Sequence, residues 1–206
     1  MNRVFFSTVW ALPCLAVLAG LPAAAQAGTD MAISAEVRGG QIDSSVAPHP
    51  GTSVQWGKAV VLLDSPAADV MAVIQNYAGY KDFLPHFEVS RVLSQRGASA
   101  LVYVQVSILH GTSTIWAQVK LRPRQGPGTT QIIEGKMTKG NMHLFEAVWE
   151  VTPVDAKHTL VAFRMLVDPD MPVPSSLVTR ENQKDARKTL SALRDLLVQR
   201  KARVKA

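Results

Sequence analysis

The chain has 206 residues, of which 47% are hydrophobic and 18% charged, and its formal net charge is +6. That length suits one ordinary domain or two small ones, and that balance buries a core, which excludes wholesale disorder. A single cysteine excludes a disulfide framework and a cysteine-based zinc site.

Residues 1–27 have the order of a secretory signal peptide. Arg3 gives a positive start, residues 9–21 are almost wholly apolar, and Ala25-Gln26-Ala27 offers small residues at a cleavage site. Cleavage near Ala27 would begin the mature chain at Gly28 and remove Cys14. Pro13 stands where a lipidated cysteine needs a small residue before it, so lipidation is set aside. The other reading of this segment is an uncleaved anchor, which Pro13 and Pro22 suit less well. The expectation is a periplasmic or secreted domain. Beyond the segment no stretch approaches the roughly twenty uncharged apolar residues of a membrane span.

Residues 28–52 are broken by Gly39-Gly40, Ser44-Ser45 and Pro48-His49-Pro50-Gly51. They read as a leader or linker, with one edge strand near residues 31–37. The domain is placed at 53–206. Trp56, Ala59, Val60, Val61, Leu62 and Leu63 predict a strand. Asp64-Ser65-Pro66 ends it, with Ser65 as candidate N-cap and Pro66 at the first helical position. Val70, Val73, Ile74 and Tyr77 share one helical face. A second short helix is expected around 79–84, ending before Pro85.

The period then switches to two. Strands are expected near 87–95, 99–109, 113–121, 130–138, 143–152 and 158–167, joined by short glycine- and proline-bearing turns. Six such strands make an antiparallel meander. Three prolines in residues 168–174 fix the path into a long helix over 175–203, whose Ala186, Leu190, Leu193 and Leu197 form one apolar stripe. The predicted architecture is α+β: a curved seven-stranded antiparallel sheet wrapped around the C-terminal helix, with two short helices between strands 1 and 2.

This order resembles the helix-grip superfamily, which includes START lipid-transfer domains, polyketide cyclases and coenzyme Q-binding proteins. The most specific residues are Asn76-Tyr77-Ala78-Gly79-Tyr80-Lys81-Asp82-Phe83-Leu84-Pro85, similar to a D-Y-x-x-Y-x-x-F-L-P signature with Asn76 in place of Asp. Val89-Ser90-Arg91-Val92-Leu93 resembles the strand that follows it. Trp149 before Glu150-Val151-Thr152-Pro153 fits a late-strand pattern, and residues 172–178 followed by 190–194 fit the gripping helix. The resemblance spans roughly residues 53–200. It implies a hydrophobic ligand cavity and implies no particular reaction.

The chemistry-bearing residues agree with a binding module. The five histidines have no partner at metal-ligand spacing, and Gly126-Pro127-Gly128 lacks the residues of a phosphate loop. No cofactor and no metal is expected. Four strand faces are wholly apolar: Val102, Val104, Val106 and Ile108; Ile115, Ala117, Val119 and Leu121; Phe145, Ala147, Trp149 and Val151; Val161, Phe163, Met165 and Val167. The candidate ligand contacts are Tyr103, Trp116, Glu134, Trp149, Phe163, Met165, Met171 and Leu190. Glu134 and Arg164 lie on the faces opposite the apolar sets, and would turn into the cavity only beyond a bulge, for which Gly135 is the candidate. From Arg180 onward nine lysines or arginines face three acids. Arg180, Lys184, Arg187 and Arg194 lie beside the apolar stripe and are the candidate contacts to an anionic membrane surface. The expected partner is a hydrophobic small molecule or lipid, bound by a monomer, with no nucleic acid. The alternatives are a cyclase- or dehydratase-like enzyme with a hydrophobic substrate, or a membrane-surface adaptor.

Overall fold

The structure, a computed structural model, describes residues 34–108, 111 and 113–205. The signal-peptide reading of residues 1–27 and the start of the expected edge strand lie outside them. Within them the elements run α1 (Ala35–Arg38), β1 (Asp43–Ala47), β2 (Trp56–Leu63), α2 (Ala67–Ile74), a 3₁₀ turn (Tyr77–Gly79), α3 (Tyr80–Phe83), β3 (Phe87–Arg96), β4 (Ser99–Ile108), β5 (Ser113–Gln125), β6 (Gln131–Gly140), β7 (Met142–Pro153), β8 (Thr159–Pro169) and α4 (Ser175–Lys205). No helix among the described residues is long and apolar enough to cross a membrane.

One antiparallel sheet holds every strand, in the order β1-β2-β8-β7-β6-β5-β4-β3. The six-strand meander is present as expected, and β8 closes back onto β2. The sheet has eight strands, one more than the seven expected. The extra strand, β1, comes from residues read as linker, and residues 35–38 form helix α1 where an edge strand was expected. Segment 48–55 is structural too. Val54 is buried against Trp56, Ile132, Val148 and Leu166 on the outer face of the sheet, and Thr52 Oγ1 donates to Asp168 Oδ2 at 2.6 Å.

Helix α2 begins one residue later than expected. Pro66 is its N-cap residue and no side chain caps it. The Ser65 carbonyl instead accepts a hydrogen bond from buried Thr159 Oγ1 at 2.7 Å, which ties the start of α2 to β8.

Alternation decides which strand residues reach the core, because successive side chains point to opposite faces. All four apolar faces read from the sequence turn inward onto α4, α2 and α3. Helix α4 buries Ala186, Leu190 and Leu193 completely and Leu197 almost so. Each such leucine contributes about 1.5–3 kcal/mol relative to an exposed position.

The helix lies against the sheet most closely at β2. A Cβ built on Gly57 would stand 2.1 Å from the backbone carbon and oxygen of Asn182. Asn182 is itself buried. Its side chain accepts from the Val167 N–H at 3.2 Å and donates to the carbonyls of Val167 and Gln55 at 3.2 and 3.4 Å. One asparagine therefore pins the first turns of α4 to both β8 and the lead-in to β2.

Gly57→Ala is expected to destabilise the fold by about 1–3 kcal/mol, the usual cost of overpacking, because backbone rather than a flexible side chain must move. Urea unfolding at constant slope checks this. An unchanged midpoint would show that α4 lifts off β2 without loss.

Candidate functional site

The inner face of the sheet changes character along the strands. At one end lie Val61, Ile133, Val151 and Val161, all fully buried. At the other end inward-facing side chains keep part of their exposure: Val106, Ile108, Met137, Phe145, Met165 and Val167. The pairing register brings them together. Phe87 pairs with Val106 and Val106 with Ile115; Val119 pairs with Met137; Phe145 pairs with Val167 and Ala147 with Met165. These apolar side chains face inward yet keep part of their exposure, so the grip has an open apolar end, its mouth, where α4 begins.

Trp149 and Phe163 form the floor, their ring centroids 4.2 Å apart. Beside them stands Tyr80, edge-on to Tyr77, Phe83 and Phe87. The Tyr80 hydroxyl donates to the Ile74 carbonyl at 2.7 Å and has the Trp149 side chain as a second hydrogen-bonding neighbour. Burial pushes the Tyr80 phenol far above its usual range, the neighbouring Tyr77 adds to this, and the Trp149 hydrogen bond offsets only part of it. Tyr80 therefore stays neutral, donating to the Ile74 carbonyl and accepting from the indole N–H of Trp149.

Two further hydroxyls on the inner side are engaged in the same way. Ser90 Oγ donates to the Tyr77 carbonyl at 2.6 Å, and the Tyr77 hydroxyl donates to the Ala98 carbonyl at 3.2 Å. Each of these three hydroxyls is committed to protein backbone. Among the described residues no three His, Cys, Asp or Glu side chains converge to hold a metal ion.

The expected ligand contacts divide between the two faces. Trp149, Phe163 and Met165 come together on the inner face. Leu190 reaches the same interior from α4 but is wholly enclosed by core. Met171 is half-buried in the proline-rich lead-in to α4, where its N–H donates to the Pro169 carbonyl at 2.9 Å.

Tyr103, Trp116 and Glu134 face the opposite way. The Tyr103 and Trp116 rings stack on each other outside, 5.9 Å apart, with the Arg91 guanidinium 5.8 Å from the Tyr103 centroid. Glu134 pairs with Arg124 at 2.7 Å on the same outer face. The reason is the position of the bulge. It falls at Thr138, between the Val119–Met137 and Gln118–Lys139 pairs, and not at Gly135. Gly135 stays in register, pointing inward where a Cβ would meet Leu121 Cδ2 at 3.0 Å and Val119 Cγ1 at 3.2 Å. Glu134 is thereby held outside. Arg164 is also outside, its guanidinium 5.1 Å from the Trp56 ring centroid.

Met137, Phe83 and Phe87 are likewise partly buried against this core and were not among the expected contacts. Counting in twos from Ile133 through Gly135 reaches Met137, so its signal was legible. Phe83 and Phe87 lie on either side of the Leu84-Pro85-His86 turn, and only the fold brings them to the strands.

The expected membrane contacts all lie on α4. Arg180 and Arg187 are exposed. Lys184 meets Glu181 at 3.4 Å. Arg194 turns towards α1 and donates to the Gly40 carbonyl at 3.1 Å.

A family model described as polyketide cyclase / dehydrase and lipid transport matches residues 63–194. No curated protein matches the chain. Among solved structures, a STAR-related lipid transfer protein from Xanthomonas axonopodis is 19% identical, with 76% of this chain and 93% of that one covered at a TM-score of 0.67. A START superfamily protein from Mycobacterium smegmatis is 16% identical, with 70% and 97% covered at 0.60. Human StAR-related lipid transfer protein 5 is 9% identical, with 77% and 82% covered at 0.68. At these identities the likeness shows a shared fold.

Tyr80→Phe removes the donor to Ile74 and the Trp149 partner together. It is expected to cost about 1–3 kcal/mol, the range for leaving a buried polar group unmatched, and to shift Trp149 fluorescence. Denaturant titration followed at the indole checks both. No loss of stability would mean the phenol holds nothing in place.

Proposed function

The chain belongs to the polyketide cyclase / dehydrase and lipid transport family, and on that premise we propose that it binds a hydrophobic small molecule or lipid in the open end of its grip and carries it. The observation that supports this most is the gradient of burial along the inner face. A core that only stabilised the fold would close at both ends. This one leaves Met137, Phe145, Met165 and Val167 reachable around a fixed aromatic floor. Two of the four are flexible residues, and methionine repacks around irregular apolar ligands. Burial of an apolar ligand here would supply roughly 25 cal/mol per Å² before association costs.

A cyclase- or dehydratase-like reaction is the alternative within the same family. It needs an acid, base or nucleophile free to face the substrate. Ser90, Tyr77 and Tyr80 each already donate to a backbone carbonyl, and Glu134 lies outside. Carriage needs none of these groups and is the better-supported reading.

A carrier must meet a membrane to load and unload. Helix α4 has the composition for it. Leu177, Arg180, Lys184, Arg187, Arg194, Val198 and Lys201 recur at helical spacings, on a side distinct from the buried stripe. Leu177 and Val198 are exposed. A helix face that mixes cations with exposed apolar side chains suits the surface of an anionic bilayer, where each nearby basic charge contributes about 1 kcal/mol. The proposed setting is the periplasm or the exterior, reached by cleavage of residues 1–27.

A hydrophobic fluorescent probe is expected to bind stoichiometrically and to be displaced by extracted envelope lipids. Met165→Glu should weaken it at least tenfold, while Trp116→Ala on the outer face should leave it unchanged. Absence of probe binding, with turnover of a soluble substrate, would overturn carriage in favour of catalysis.

N-terminal sequencing of the protein from its own cell envelope is expected to start at or near Gly28. An intact Met1 on cytosolic protein would remove the export reading.

A further inference from the structure

A cleft lies at the closed end of the grip, remote from the mouth. It measures about 440 Å³ and lies between α1, the end of β2, the β7–β8 turn and the last turns of α4. Three cations border it: Arg38 from α1, and Arg194 and Lys201 two turns apart on α4. Its bordering carboxylate, Asp64, is engaged by His158, whose Nε2 lies 3.0 Å away, and His158 is held from its other side by Asp155 at 2.7 Å. Arg194 is positioned rather than free, with the Gly40 carbonyl at 3.1 Å and Asp195 at 3.9 Å. Arg38 and Lys201 have no carboxylate within ion-pair distance among the described residues. The rest of the border is Gly39, Gly40, Ser65 and four apolar residues, Leu62, Leu63, Leu197 and Val198, the last 61% exposed.

We infer that this cleft takes the phosphate of an anionic phospholipid headgroup, with Arg38, Arg194 and Lys201 around the phosphate and Val198 against the first carbons of the lipid. The chemistry follows from the donors. Guanidinium groups offer forked N–H pairs that match phosphate oxygens, and an ammonium adds a point charge. The apolar rim favours a phosphate that carries hydrocarbon over one that does not. This deepens the membrane-docking part of the proposed function and rests on it. The headgroup is a docking ligand, separate from the cargo in the apolar cavity.

The test uses amide NMR of the purified protein with three soluble probes: dihexanoyl phosphatidic acid, dihexanoyl phosphatidylcholine and inorganic phosphate. Phosphatidic acid is expected to shift the amides of Gly39, Gly40, Val198 and Lys201 saturably. Inorganic phosphate should act on the same amides at least tenfold more weakly, and phosphatidylcholine should leave them unmoved. R38Q/K201Q should weaken phosphatidic acid at least tenfold and reduce sedimentation with phosphatidic acid-containing vesicles, with apolar-probe binding unchanged. Equal binding of phosphatidylcholine, inorganic phosphate as tight as the lipid, or an unaltered double variant each overturns the headgroup site. Shifts confined to Met137, Phe145 and Met165 would also overturn it, yet leave cargo binding standing. Loss of apolar-probe binding in the wild type would remove the carrier reading without touching the cleft.

Discussion

The close approach of α4 to β2 governs the rest of the molecule. Gly57 is the point where helix backbone lies against sheet backbone, and only a residue without a Cβ permits it. Asn182 then saturates the polar groups that this approach buries: the Val167 N–H and the carbonyls of Val167 and Gln55. With the first turns of α4 pinned there, the helix runs over β2, β8 and β1. The strands on the other side of the sheet, β3 to β6, lie beyond its main contacts, and the outermost of them, β3, is met by α3 and the 3₁₀ turn before it. A helix about 10–12 Å across cannot fill the width of an eight-stranded curl. The inner face is therefore left partly exposed at the mouth.

The aromatic floor shows how such a mouth stays open. An apolar cavity collapses if its walls can repack, and interiors normally do pack to crystal-like density. Trp149 is held by Tyr80, and Tyr80 by the Ile74 carbonyl at the end of α2. Tyr80 is also set edge-to-face against Tyr77, Phe83 and Phe87, and Phe163 packs tilted on Trp149 at 4.2 Å, so the floor is tied to its surroundings. The adaptable residues, Met137 and Met165, sit nearer the mouth. Rigidity below and plasticity above is a sound arrangement for a site that must accept a flexible guest without losing its own fold.

Most of this was legible from periodicity. Four of the meander strands, β4, β5, β7 and β8, carry apolar runs at every second residue on the inner face, and the stripe of α4 repeats at three and four. Those patterns arise from burial, so they survive in the sequence. What escaped was set by other forces. Strand β1 reads Asp43-Ser44-Ser45-Val46-Ala47, with no apolar alternation, because an edge strand is paired on one side and buries little. The outer-face cluster of Val54, Trp56, Ile132, Val148 and Leu166 draws single residues from distant segments, and no local period marks it. The side of the sheet taken by Glu134 turned on whether a bulge sat at Gly135 or three residues later. Both positions lie in a stretch of small and polar residues, and only pairing with β5 distinguishes them. Ser65 looked like a cap by residue type, yet Thr159 recruited its carbonyl to join α2 to β8.

The charge distribution follows from the same geometry. With one side of α4 committed to the core, its surplus of basic residues is confined to the remaining arc of a helix about 46 Å long at 1.5 Å per residue. Acids on that arc are drawn to near neighbours, Glu181 to Lys184, Asp185 to Lys188 and Asp195 to Arg194, which leaves Arg180, Arg187, Arg200, Lys201 and Arg203 without a carboxylate partner among the described residues. Their reach is about one Debye length, roughly 8 Å at physiological salt. That reach is short compared with the helix, so an anionic surface would have to lie along α4 and not merely touch one end of it.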